Sequence, residues 1–204
     1  MDDYSQYDIT ENDPYLISGS ECLKNLLGFT NTADLNRAEQ NLTKITMADV
    51  AANPVPPTFD LPHLQEIHRR IFQDVYSFAG AIRVVEIGKG NKLFLPYKLI
   101  VQESTQCFEN LVFENHLQGL DPEAFGCRAG FFLGWINKIH PFREGNGRSQ
   151  RVLLNQLADL NGYAITWSAI SDRAMGDACR EARTTDYSAP QLCKLLALHT
   201  VSSK

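Results

Sequence analysis

The 204-residue chain predicts a mainly α fold, a helical bundle carrying one β-hairpin. Three observations support this. Apolar residues recur at helical spacing through most of the chain, one stretch alone joins two short apolar runs by a glycine-rich turn, and no internal repeat or low-complexity tract breaks the pattern. A hydrophobic content of 44% and a charged content of 21% suit a globular protein with a sizeable core.

The first dozen residues are polar and are expected to be loose, with Asn12-Asp13-Pro14 marking a turn. Glu21 to Leu27 and Thr32 to Val50 read as helices, the second polar around Leu35, Leu42, Ile45 and Met47. Asn53-Pro54-Val55-Pro56-Pro57 is a proline-stiffened break. Leu61 to Ser77 then forms an amphipathic helix with Leu64, Ile67, Ile71, Phe72 and Val75 inward. His63 and His68 flank that stripe, but they lie five apart and not four, with no Glu-x-x-His pattern, so they read as packing or capping residues.

Val84 to Ile87 and Leu93 to Pro96 flank Gly88-Lys89-Gly90-Asn91-Lys92, which predicts the hairpin. Leu99 to Leu117 continues as a helix, and Pro122 to Ile139 as a buried one with Phe131, Phe132, Trp135 and Ile136 in the core. Ser168 to Arg183 and Pro190 to Ser202 are expected to close the bundle as helices.

A net charge of −5 argues against a general nucleic-acid or membrane surface. No apolar run approaches the length of a membrane span, and the acidic start, Met-Asp-Asp-Tyr-Ser-Gln, is no secretory signal. Five cysteines, Cys22, Cys107, Cys127, Cys179 and Cys193, form no Cys-x-x-Cys pair and read as buried thiols in a reducing compartment. The expectation is a cytoplasmic protein.

The densest chemistry lies between His140 and Arg151. Gly145-Asn146-Gly147 permits a sharp turn that brings backbone N–H groups close to an anion. The turn feeds a helix running to Leu160 and stopped by Asn161-Gly162. A helix N-terminus favours phosphate. Arg148 and Arg151, three residues apart in its first turns, oppose the helix dipole unless a polyanion binds there. Glu144, a carboxylate beside phosphates, implies an intervening cation, and magnesium suits one carboxylate plus phosphate oxygens. His140 precedes Pro141, which ends the preceding helix and leaves the imidazole at the helix-to-loop junction, able to take a proton from a hydroxyl.

His140, Phe142, Glu144, Gly145, Asn146, Gly147, Arg148 and Arg151 reproduce the signature HxFx(D/E)GNGRxxR, so the chain resembles the Fic (filamentation induced by cAMP) domain family. Asn12 to Tyr15, Leu26 to Phe29, Phe59 to Arg70, Tyr76 to Gly80 and Arg83 to Lys89 extend the resemblance to small bacterial Fic proteins. It implies a Fic-fold helical bundle whose hairpin is a flap over the active site. The implied layout is one Fic domain over 1–204: an N-terminal helical extension over 1–57, a core over 58–167 with flap 84–96 and motif 140–151, and C-terminal helices over 168–204.

The implied reaction is transfer of AMP from ATP to a hydroxyl side chain of a target protein. His140 would be the general base and Phe142 the loop's anchor in the core. Glu144 would hold Mg2+, and Gly145, Asn146 and Gly147 would form the anion hole. Arg148 and Arg151 would clamp the triphosphate. The flap, Glu86, Ile87, Gly88, Lys89, Gly90, Asn91, Lys92, Leu93 and Phe94, would pair with an extended target segment, main chain to main chain. Arg143 occupies a variable motif position and receives no role.

Fic proteins are restrained by a helix of pattern (S/T)xxxE(G/N), whose glutamate pairs with the second motif arginine, here Arg151. Thr105 to Asn110 fits the letters but falls between flap and motif, and nothing before residue 60 or after residue 160 matches. A small separate antitoxin is therefore expected to supply the glutamate, making this chain a toxin. The small Fic toxins it resembles act on type II topoisomerases, DNA gyrase and topoisomerase IV. The alternatives are transfer of another phosphate-containing group and a non-catalytic adaptor that binds peptides along the flap.

Overall fold

A computed structural model describes residues 13–90, 92–185 and 187–203; the loose start expected over residues 1–12, and Asn91 of the hairpin, lie outside them. The element order is α1 (Thr32–Ala52), α2 (Leu61–Phe72), α3 (Ile100–Phe113), α4 (Pro122–Ile139), α5 (Asn146–Leu160), β1 (Tyr163–Ile165), α6 (Asp172–Ala182), α7 (Pro190–His199) and β2 (Thr200–Ser202). The mainly helical class is as expected.

The helices begin where polar side chains satisfy otherwise orphaned N–H groups. Asn31 accepts from the N–H groups of Ala33 and Asp34, Asp60 from His63, Asp121 from Ala124 and Ser171 from Ala174. Each such cap contributes about 1 kcal/mol. Pro122 sits in the first turn of α4, where a missing N–H costs nothing.

Helix α4 is the axis of the bundle. Phe125, Ala129, Phe132, Leu133, Ile136 and Ile139 are buried, and α3, α5, α6 and α7 all pack against it. Its tightest neighbour is α7, seated on a stripe of small residues. A Cβ added at Gly126 would stand 2.6 Å from Leu196 O, and one at Gly130 would stand 2.5 Å from Leu192 O. On the other side, α2 lies between α1 and α5, with the expected stripe of Leu64, Ile67, Ile71, Phe72 and Val75 buried.

Several boundaries differ from expectation, each because tertiary contacts take backbone groups. Glu21 to Leu27 is not a helix. Leu16 and Leu23 form an isolated antiparallel bridge, Lys24 N–H donates to Tyr15 O, and Leu26 N–H donates to Val75 O. That last bond also follows the early end of α2 at Phe72 in place of Ser77. The helix expected to reach Leu117 ends at Phe113, beyond which Asn115, His116 and Leu117 all adopt positive φ.

Among the described residues the hairpin is a chain reversal that carries no strand. Gly88 and Leu93 form one bridge, Lys89 N–H donates to Lys92 O, and Phe94 N–H donates to Ile87 O. A ladder does not extend because Arg83 takes the carbonyls of Val85 and Leu95, while Leu95 N–H goes to Lys138 O. The two strands lie elsewhere, β1 and β2 pairing antiparallel with Ala164 opposite Val201. The helix expected to reach Ser202 therefore ends at His199, and the one expected from Ser168 begins at Asp172. Cys22 and Cys107 are buried, whereas Cys127, Cys179 and Cys193 are only partly so, and all five are free thiols. No helix among the described residues is long and apolar enough to cross a membrane.

Candidate active site

The site forms where α4 ends and α5 begins. His140 caps α4 in a left-handed conformation, φ 49° and ψ 65°. Such a conformation costs a non-glycine residue about 1–3 kcal/mol and persists only when its surroundings enforce it. Pro141 disfavours a continued right-handed helix. Arg83 supplies the rest: its Nε donates to His140 O at 2.8 Å, one Nη donates to Ile139 O at 3.3 Å, and its backbone N–H reaches Pro141 O at 2.9 Å. The same guanidinium bonds Val85 O and Leu95 O at the two stems of the flap. Arg83 is 1% exposed, so one buried cation ties flap to motif.

The imidazole of His140 is 6% exposed. Its Nδ1 lies 3.1 Å from Asn137 O. A carbonyl oxygen only accepts, so Nδ1 carries the hydrogen and Nε2 is the unprotonated nitrogen of the neutral ring. Burial holds this group far below the ordinary value of 6.5, and the nearby cations Arg83, Arg183 and Lys89 act in the same direction. His140 is therefore neutral near pH 7. The Phe94 ring of the flap stacks on it at 3.7 Å between centroids and 16° between planes.

The chain turns sharply at Gly145, as the glycines allow. Gly145 has φ 78°, and a Cβ there would stand 2.2 Å from Cζ of Phe72, so both backbone and space demand glycine. Asn146 spends its side chain on the loop itself, accepting from Phe142 N–H at 2.9 Å and donating to Phe142 O at 2.8 Å. Phe142 is 1% exposed and stacks on His68 at 3.9 Å, in keeping with an anchor. No side chain caps the first turn of α5, and Gly147 is exposed there, a terminus of the kind that suits an anion.

Glu144 receives the Gly145 N–H at 2.8 Å and lies 3.5 Å from Nη2 of Arg148. Burial and the neighbouring Glu39 push its carboxyl above the ordinary range, while Arg148 pulls it down. The two arginines diverge. Arg148 turns inward, 2.5 Å from Glu39 Oε1 and 3.1 Å from Thr43 Oγ1, with Phe72 beneath it at 4.5 Å. Arg151 lies beside α6. Burial raises the Cys179 thiol there to about 11, and the cations Arg151, Arg183, Lys89 and Arg180 pull against that rise.

Several contributors carry no motif signal. Glu39, Thr43 and Tyr76 hold Arg148 from outside the motif, the Tyr76 hydroxyl donating to Glu39. Asp13 pairs with Arg143 at 2.8 Å, both side chains nearly sealed from water. His63 and His68 are structural, as expected: His68 donates from Nε2 to Glu144 O at 2.9 Å and accepts Gly80 N–H on Nδ1 at 2.7 Å. Buried carboxylates on an amphipathic helix mark such positions only weakly.

No group of three His, Cys, Asp or Glu side chains converges as a metal cage among the described residues. A magnesium ion held chiefly by phosphate oxygens and water requires only one protein carboxylate, and Glu144 fits that mode. The Thr105–Asn110 pattern lies on α3, with Thr105 and Glu109 exposed. Together with Thr58, Asp60 and Phe108 these two line a surface cleft of about 380 Å³.

Comparison with known proteins places this geometry. A profile of the Fic/DOC family matches residues 58–158. The chain is 39% identical over 171 residues to "Protein adenylyltransferase VbhT" of Bartonella schoenbuchensis, covering 84% of this chain and 36% of that protein. It is 33% identical over 180 residues to "Probable protein adenylyltransferase Fic" of Escherichia coli K12, covering 88% of this chain and 89% of that protein. Thus it spans about a third of the first relative and most of the second. Among solved structures it resembles the N-terminal Fic domain of a Bep effector from Bartonella quintana with bound ADP, at a TM-score of 0.86 and 28% identity, covering 94% and 96% of the two chains. It also resembles BepC of Bartonella tribocorum with bound AMPPNP, at a TM-score of 0.86 and 26% identity, covering 94% and 98%.

Proposed function

Because this chain belongs to the Fic/DOC family, we propose that it is a protein adenylyltransferase, moving AMP from ATP to a hydroxyl side chain of a target protein. The observation that carries this reading is the buried, neutral His140 at the junction where α4 ends and the glycine turn leads into the uncapped N-terminus of α5. The relatives named as adenylyltransferases and the neighbours holding ADP or AMPPNP support the same reaction.

In the proposed mechanism the triphosphate lies against the N–H groups of Asn146, Gly147 and Arg148, with Arg151 at its far end. Arg148, committed to Glu39, contributes its backbone N–H and its positive charge from beneath the turn. Glu144 would hold Mg2+, which neutralises phosphate charge when bound. The target hydroxyl attacks the α-phosphorus in line, its proton passes to Nε2 of His140, and pyrophosphate leaves with the electrons of the broken P–O bond. Catalysis is positioning and charge stabilisation in a site closed to water by the flap.

The flap from Glu86 to Phe94 is proposed to dock an extended target segment, since its partly bridged backbone offers main-chain groups independent of target sequence. We further propose a cytoplasmic toxin restrained by a separate antitoxin whose glutamate reaches Arg151, with type II topoisomerases as targets. The exposed position of Glu109 on α3 is in keeping with an inhibitor from outside.

The test is incubation of the purified chain with a bacterial lysate and ATP labelled at the α- or the γ-phosphate. A protein band labelled only from the α-position, and lost in His140→Ala, is expected. Label arriving from the γ-position would replace AMP transfer by kinase-like chemistry. Activation by a terminal truncation would replace the separate antitoxin by a built-in inhibitor.

A further inference from the structure

We propose that Arg183, at the C-terminal end of α6, is a positioning residue of this site, latching the flap so that Phe94 stays stacked on His140. The inference rests on His140 and the flap having the roles proposed above. Arg183 lies outside the segment 58–158 that the family profile matches, on an element to which the motif assigns nothing.

The flap needs an external hold. Among the described residues its two stems share one isolated bridge, and two further backbone bonds close the turn. A two-stranded reversal of that kind is marginal by itself in water. Arg83 secures its base through Val85 O and Leu95 O. Arg183 holds the turn. Its Nη1 donates to Lys89 O at 3.2 Å, and its Cζ lies 4.8 Å from the centre of the Phe94 ring. One guanidinium thus holds both the turn and the residue that stacks on His140 at 3.7 Å.

Arginine suits this task because a planar guanidinium lies over an aromatic ring while its edge still donates hydrogen bonds. Lysine supplies the charge without the plane. With the latch closed, the height of the flap above His140 is fixed, and so is the position at which a docked hydroxyl meets Nε2. With the latch open, the docking edge moves relative to the base while the glycine turn and Arg151 remain in place. Arg183 therefore governs use of the target more than binding of ATP.

The test reads the flap directly, by amide hydrogen exchange on the full chain for wild type, Arg183→Ala, Arg183→Lys, Phe94→Leu and the double variant Arg183→Ala/Phe94→Leu. Arg183→Ala is expected to speed exchange at Lys89 and Phe94 about tenfold, the size expected when a cation–π contact and one hydrogen bond are lost together. Amides of α4 and α5 should keep wild-type protection. Phe94→Leu should give a similar increase, the double variant little more, and Arg183→Lys only partial recovery.

In the transfer assay, Arg183→Ala should raise KM for the target protein with KM for ATP unchanged. Wild-type flap exchange in Arg183→Ala overturns the latch, whether or not the chain transfers AMP. Loosened flap exchange in a chain that transfers nothing overturns the proposed reaction and leaves the latch standing. If α4 also loosens in Arg183→Ala, Phe94→Leu decides, and wild-type flap protection there overturns the proposal.

Discussion

Nη2 of Arg148 lies 2.5 Å from Oε1 of Glu39, and the two side chains are 4% and 1% exposed. Glu39 belongs to α1, far from the motif in sequence, and it also accepts the Tyr76 hydroxyl. Glu144 approaches the same guanidinium from the opposite end of the turn. The first motif arginine is thereby a strut joining α1 to the glycine turn. Removing Glu39 takes the closer carboxylate from a buried guanidinium, and Glu144 at 3.5 Å compensates it in part.

Glu39→Gln should therefore destabilise the protein by about 3 kcal/mol in urea unfolding, the low end for breaking a buried pair from one side. Replacing both partners, as in Glu39→Leu with Arg148→Met, should recover only part of that loss, because Glu144 and the Tyr76 hydroxyl lose their contacts to the pair. A single variant with wild-type stability would show that the pair contributes nothing.

Gly145→Ala should lower stability by more than about 1 kcal/mol, because alanine at positive φ is strained. Its Cβ would also collide with Phe72, displacing the turn, so ATP binding measured by calorimetry should weaken at least tenfold. Unchanged ATP affinity would sever the turn from nucleotide binding.

Gly130→Ala tests the seat of α7. The added methyl meets Leu192 O at 2.5 Å, and overpacking of this kind costs about 1–3 kcal/mol. Thermal unfolding should drop, and exchange in α7 should rise before that in α2.

In the proposed reaction neutral His140 sets the acid limb. Its pKa lies well below 6.5, so kcat/KM should not halve as pH falls through that value. A limb centred at 6.5 or above would show that the free enzyme exposes this imidazole to water, against the burial found here.

His68 links stability to pH. Burial lowers its pKa to about 3, so the unfolded chain binds this proton more readily than the folded one between 6.5 and about 3. Its contribution is fully present above pH 6.5 and is lost as pH falls through that window, by up to about 1.4 kcal/mol per pH unit. Urea unfolding at pH 7 and pH 5 measures the slope, and His68→Gln should flatten it.

Much of the fold was legible in the sequence because its signals are local. The inward stripe from Leu64 to Val75 and the Gly145 turn with its following helix need only a period and a permissive backbone. The hairpin was legible as a reversal and misleading as a pair of strands, since a distant arginine takes the carbonyls that a ladder requires. Glu21 to Leu27 has helix-compatible residues, yet its N–H groups go to Tyr15 and Val75.

The site divides in the same way. By itself the sequence determined the candidate groups, because His140, Glu144, the glycine turn and Arg151 lie within one short run whose chemistry follows from residue type and spacing. Only the tertiary structure decided their states. Burial and three cations keep His140 neutral, Glu39 draws Arg148 inward, Arg83 ties flap to motif, and Arg183 brings α6 to the flap. Charge and desolvation depend on distance in space, and most of these partners lie tens of residues away along the chain.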